Sequence, residues 1–135
     1  MEWITYRQAE FSLEHPADWN VQIVPGPVVT VASPDGQTFA LIEAFTVGAA
    51  ETPTSVLENL RFPSINMFAD PKPEKVLPGP GGSANMFLSY RMAHGKTGRA
   101  RVGCMLAGNR AAIFTTAAPA EQFAASEQTL VRIVT

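Results

Sequence analysis

Glu14, His15 and Asp18 stand within five positions of one another in the stretch FSLEHPADWN, residues 11–20. Carboxylates beside an imidazole are the groups that ligate zinc or shuttle protons in general acid–base catalysis. Their spacing supports neither task. Phe11, Leu13 and His15 alternate with Ser12 and Glu14, which is the period of a strand, and neighbours on a strand point to opposite faces. Glu14 and His15 therefore diverge. The other histidine, His94, is far along the chain, so no HxH or HxxxH spacing exists, and no triad can be assembled from these residues. His15 is expected to be a strand-end histidine with an ordinary hydrogen bond.

HGKTGR, residues 94–99, has the look of a phosphate-binding loop. A Walker A motif needs a glycine five positions before the glycine of Gly-Lys-Thr, and a helix after it. Tyr90 holds that position, and Arg99 to Leu106 alternates like a strand, so a hairpin turn is expected instead. Cys104 is the single cysteine; it allows no intramolecular disulfide and no CxxC site. With Val102 and Leu106 two positions away on either side, it reads as a buried structural thiol. No catalytic residue, metal ligand or cofactor site is assigned.

Glu43 is odd for another reason. It shares a strand face with Phe39, Leu41, Phe45 and Val47, and a carboxylate among apolar neighbours must be paired, protonated or set at the rim of a cavity. A cross-strand ion pair with an arginine of the late strands is the first expectation; a pocket rim is the second.

Charge is distributed unevenly. Residues 1–74 hold ten acids and three bases, residues 75–120 six bases and no acid, and the whole chain has a net charge of −2. Arg91, Arg99 and Arg101 should share one solvent-side face and form a patch for an anionic protein partner, unless neighbouring acidic segments neutralise them. Neutralisation is the expected outcome. Nucleic acid is not expected as a partner, because that would call for a net basic domain with exposed aromatics among the bases.

The elements that must position these groups follow from periodicity. Trp19, Val21 and Ile23 alternate with Asn20 and Gln22; Pro25-Gly26-Pro27 and Ser33-Pro34-Asp35-Gly36 bound a run from Val28 to Val31; and TFALIEAFTV, residues 38–47, is apolar enough for a central strand covered on both faces. Thr52-Pro53 opens a helix with Val56, Leu57 and Leu60 on one stripe, ended or kinked at Pro63. Residues 62–82 carry five prolines and three glycines, predicting a long irregular connection with a short strand near Lys75 to Leu77.

Two strands then surround HGKTGR. A three-residue loop, Lys96-Thr97-Gly98, would pair Met92 with Val102 and Tyr90 with Cys104, with Gly98 left-handed. Gly108-Asn109 suits a two-residue turn pairing Ile113 with Cys104 and Ala111 with Leu106. An amphipathic segment from Pro119 to Val134, with Phe123 and Leu130 on one side, is expected to cover that apolar face. The prediction is an α+β fold, an antiparallel sheet flanked by helices, as a single domain over 1–135.

FSLEHPADWNV also carries a resemblance. Phe11, Leu13, Pro16 and Trp19 match the strand, turn and next-strand pattern of the PsbP-like superfamily, and the later order of elements is similar. The resemblance implies an α/β/α sandwich. Members include a photosynthetic extrinsic subunit, a Ran-binding import factor, and bacterial lipoproteins and effector chaperones, whose shared theme is binding and assembly without a common catalytic set. The expected function is a soluble, bacterial, non-catalytic accessory module that engages a protein partner. The alternative is a small apolar-ligand carrier with a pocket between sheet and helix, rimmed by Glu43. The chain lacks a secretory signal and any run of the ~20 apolar residues that span a bilayer, so no membrane insertion and a cytoplasmic location are expected, extracytoplasmic if a leader or anchor precedes it. A monomer and a homodimer are equally compatible with the sequence.

Overall fold

The computed structural model describes residues 2–7, 12–24 and 28–127. Strands β1 (Trp3–Arg7), β2 (Ser12–Pro16), β3 (Asn20–Val24), β4 (Val28–Ala32) and β5 (Phe39–Thr46) precede helix α1 (Pro53–Glu58); β6 (Ala69–Pro73), β7 (Leu77–Pro78), β8 (Ala84–Arg91), β9 (Thr97–Ala107) and β10 (Arg110–Pro119) follow. β1 and β2 form a separate ladder. The main sheet is ordered β3-β4-β5-β10-β9-β8-β6, with β7 also on β8, and every pairing is antiparallel. Phe11, the Pro25-Gly26-Pro27 loop and residues 128–134 of the predicted closing segment lie outside the described residues. No helix among the described residues is long and apolar enough to cross a membrane.

Alternation sorts the side chains into two layers. On one face, Met86, Leu88, Val102, Cys104 and Ile113 are fully buried and receive Val56 and Leu57 of α1. Each such side chain contributes ~1.5–3 kcal/mol by leaving water. On the other face Val29, Val31 and Ala40 form a second cluster with Trp3, Trp19, Val21 and Ile42. β5 joins both, since Phe39 and Phe45 pack on the first cluster and Ala40 and Ile42 in the second. The apolar run at 38–47 is thus a central strand with two covered faces.

Thr52 caps α1 as its sequence predicts, with Pro53 in the first turn. Its Oγ1 accepts from the Ser55 N–H at 3.1 Å, and Ser55 Oγ accepts from the Thr52 N–H at 2.9 Å, closing a capping box with serine in place of the usual Glu or Gln. The helix ends at Asn59, before Pro63, because Leu60 turns left-handed at φ 52°.

The β9–β10 turn has the predicted register, Ile113 opposite Cys104 and Ala111 opposite Leu106, with Gly108 at φ 64°. The β8–β9 register differs from expectation. Tyr90 pairs with Gly98, Leu88 with Ala100 and Met86 with Val102. The chain reverses at Met92–Lys96, where the Met92 N–H donates to the Lys96 carbonyl at 2.8 Å, and His94 and Gly95, not Gly98, are left-handed. Tyr90 therefore lies six positions from the Cys104 pairing, an even slip that leaves every side chain on its predicted face.

Residues 62–82 are more ordered than their prolines suggest. A 3₁₀ turn spans Pro63–Met67, β7 falls at Leu77–Pro78 near the predicted position, and β6 forms an edge of the sheet. Pro71 and Pro73 are tolerated because an edge strand leaves half its N–H groups unpaired, and a bulge between Ala69 and Lys72, with Asp70 at φ 51°, bends it. After β10 the chain is helical at 123–127. Phe123 meets Phe87 edge-on, centroids 6.2 Å apart, so this segment covers the face opposite α1, whereas its apolar stripe had suggested the α1 face.

Candidate functional site

The residues that drew attention in the sequence are dispersed. His15 is buried and its Nδ1–H donates to the Pro16 carbonyl at 2.8 Å. Among the described residues no group of three or more His, Cys, Asp and Glu could hold a metal. Cys104 is fully buried, and burial pushes its thiol up to about 11.

Glu43 is 2% exposed. Its Oε1 accepts from the Ser64 hydroxyl at 2.5 Å and from the Ser64 N–H at 3.3 Å, while Oε2 has no partner among the described residues. The predicted ion pair with an arginine is replaced by Ser64, delivered by the 3₁₀ turn after α1. Burial raises the pKa of the carboxyl, and the Ser64 bonds oppose that rise only in part. Glu43 lines none of the clefts described below, and Ile113, opposite it on β10, is fully buried.

Arg99 and Arg101 are occupied within the fold. Arg99 Nη1 meets Glu74 Oε2 at 2.7 Å, and Arg101 Nη1 meets Glu127 Oε1 at 3.2 Å. Both guanidinium groups lie over the Phe87 ring, at 4.6 and 5.8 Å from its centroid. Arg91 ends β8, exposed; its register partner Thr97 lies two residues from Arg99, so the three arginines share one face of the sheet as their alternation predicts, and Arg91 also borders a second surface.

That surface is a groove at the end of the sheet, where three segments meet: the β4–β5 loop, the stretch from Met67 to Lys72, and the β8–β9 turn. A cleft of about 390 Å³ begins beside Asn20, Gln22 and Thr30. A second, of about 350 Å³, shares Asp35, Gly36, Phe39 and Met67 with it. A third, of about 250 Å³, shares Tyr90, Arg91 and Lys96 with the second and ends at Asp70 and Lys72. The three clefts adjoin through these shared residues: the one at the β3 end is lined mainly by polar side chains, the middle one holds Phe39, Met67 and Tyr90, and the one at the β6 end holds Lys72, Arg91 and Lys96 beside Asp70.

The groove's floor is rigid. Phe39 stacks near Phe68 with centroids 6.2 Å apart, and Phe68 tilts against Tyr90 at 4.7 Å. Met67 stands 54% exposed above them. At the loop, Asp35 accepts from Ser33 Oγ at 2.6 Å and the Gln37 N–H at 3.0 Å, bonds that, with a smaller effect of Lys96, lower its pKa. Of the groove's residues the sequence had pointed only to Arg91. Phe39, Met67, Tyr90, Lys72 and Lys96 come from separate segments, and Asp70 and His94 at its rim are left-handed.

No protein-family model matches the chain, and no curated protein matches its sequence. Solved structures do. A solution structure of cyanobacterial PsbP (CyanoP) from Synechocystis sp. PCC 6803 is similar over 98% of this chain and 89% of that chain, with TM-score 0.58 and 12% identity. A protein of unknown function, PA94 from Pseudomonas aeruginosa, is similar over 95% and 90%, with TM-score 0.53 and 18% identity. A crystal structure from Bacteroides thetaiotaomicron VPI-5482 is similar over 90% of this chain but 43% of its own, with TM-score 0.54 and 17% identity. At these identities the likeness is one of architecture: the chain has the PsbP-like fold.

Proposed function

We propose that this protein is a non-catalytic binding module that takes an extended segment of a protein partner in the groove ending at Arg91, Lys96 and Lys72. The carrying observation is that three clefts adjoin through shared lining residues, with Phe39, Met67 and Tyr90 in the middle and Arg91, Lys96 and Lys72 at one end. A preformed floor spares the ordering entropy that binding otherwise costs, and an exposed methionine adapts to varied apolar side chains. Arg91, Lys72 and Lys96 favour an acidic residue near the apolar one and steer its approach. A net charge of −2 and so short a cationic run suit a protein segment better than a nucleic acid.

The test is selection from a displayed library of short peptides, followed by affinity measurements on the wild type, on Met67→Glu and on the double variant Arg91→Glu/Lys96→Glu. Selected peptides should carry an apolar residue flanked on one side by acidic ones, and each variant should bind them about tenfold or more weakly with an unchanged circular dichroism spectrum. Peptides that bind both variants as well as the wild type would overturn the reading.

A further inference from the structure

On the sheet face opposite α1, away from the groove and toward the other end of the strands, a cavity of about 330 Å³ lies over Gly103. We infer that it is a binding site for a small carboxylic acid with an apolar body.

Register explains the cavity. One row across the sheet reads Asn85, Gly103, Phe114, and the next reads Phe87, Arg101, Thr116. Gly103 places no side chain in its row, so a gap opens between Asn85 and Phe114; a Cβ there would come within 3.2 Å of Asn85 Oδ1. Phe114 and Met105 supply apolar wall.

Beside the Asn85 amide, two groups can donate from the neighbouring row, Thr116 and Arg101. Thr116 is 4% exposed, and its Oγ1 has no hydrogen-bond partner among the described residues. A buried hydroxyl left so costs ~1–3 kcal/mol, which a ligand oxygen would relieve. Arg101, its register partner, spends Nη1 on Glu127 at 3.2 Å, leaving further N–H groups of its five-donor fork. Donors at one end and apolar walls at the other select a carboxylate on an aliphatic or aromatic body. The volume is at the small end of ligand sites, which suits roughly ten heavy atoms.

Octanoate, with 1-octanol as a neutral control of similar shape, is titrated into ¹⁵N-labelled protein at neutral pH. Saturable amide shifts should centre on Gly103, Phe114 and Thr116, and octanol should bind about tenfold more weakly, the ratio expected for one lost charge-assisted hydrogen bond. Thr116→Val and Arg101→Met should each reduce the octanoate preference, and Gly103→Val, which fills the gap, should abolish binding of both. Met67→Glu should leave octanoate binding unchanged, which separates this site from the peptide groove. Shifts that do not saturate, shifts centred elsewhere, equal affinity for acid and alcohol, or an octanoate preference untouched by Thr116→Val and Arg101→Met would each overturn the inference.

Discussion

Tyr90 lies across the bare backbone of Gly98, its register partner on β9, with its ring where a Cβ would have to be. The glycine is there for space rather than for a left-handed turn. With Phe68 on its other side, the ring is held flat as part of the groove floor. Burial pushes its phenol up to about 12.

Gly98→Ala should therefore destabilise the protein by about 1–3 kcal/mol, the usual cost of forcing extra volume into a packed site. It should also weaken peptide binding, because the displaced ring carries the floor with it. Urea denaturation and a peptide titration read the two effects separately. An alanine variant as stable as the wild type would mean that Tyr90 swings aside at little cost.

Glu43 and Ser64 make a second test. Burial raises the folded-state pKa of Glu43 above its unfolded value, so the folded protein holds this proton more tightly. The stability linked to it is whole below the unfolded value of ~4.3 and is lost as pH rises through the folded pKa. In Glu43→Gln that loss is absent, so the stability difference between variant and wild type should move in the variant's favour from about pH 4 upward. Ser64→Ala should cost ~1–3 kcal/mol by removing a donor from a buried acceptor. Urea midpoints across pH check both, and a difference that stays constant with pH would sink the account of Glu43.

Cys104 should be inert in the folded protein. Its thiol is fully buried and its pKa is about 11, so it is neither ionised nor accessible at pH 8. Reaction with an aromatic disulfide reagent should be about a thousandfold or more slower than in urea-unfolded protein, because it waits for opening of the core strands. Rapid modification of native protein would show that β9 opens locally.

Particular residues explain what the sequence made legible. Gly108-Asn109 set its hairpin register because a two-residue turn demands a positive φ at its first residue, which Gly108 supplies at 64°. The β8–β9 register was ambiguous because Gly95 and Gly98 could each make a turn, and only the packing of Tyr90 on Gly98 decides between them. The face assignment survived since the slip was even. Thr52-Pro53 announced the helix start, but its end depends on a left-handed Leu60 that residue type does not encode. The prolines of residues 62–82 hid β6, whose tolerance for them comes from its place at the sheet edge. Arg99 and Arg101 were visible as a basic face, yet Glu74 and Glu127 lie 25 and 26 residues from them in sequence. The groove was illegible because its walls meet only through tertiary packing.

Arg99 shows how such a pairing should be apportioned. Its side chain is 35% exposed and that of Glu74 51%, so water screens the ion pair and Glu74→Gln should cost less than ~0.5 kcal/mol, and less still in salt. The guanidinium lies over Phe87 at 4.6 Å and 6.0 Å from the Phe123 centroid, a stacking worth ~0.5–1 kcal/mol, and truncating a long arginine also removes whatever apolar surface its stem covers. Arg99→Ala should therefore cost ~1–2 kcal/mol, with little dependence on salt. Urea denaturation of both single variants and of the double variant, at low and high salt, separates the contributions. If Glu74→Gln proves as costly as Arg99→Ala, the ion pair and not the aromatic stack holds this face of the sheet together.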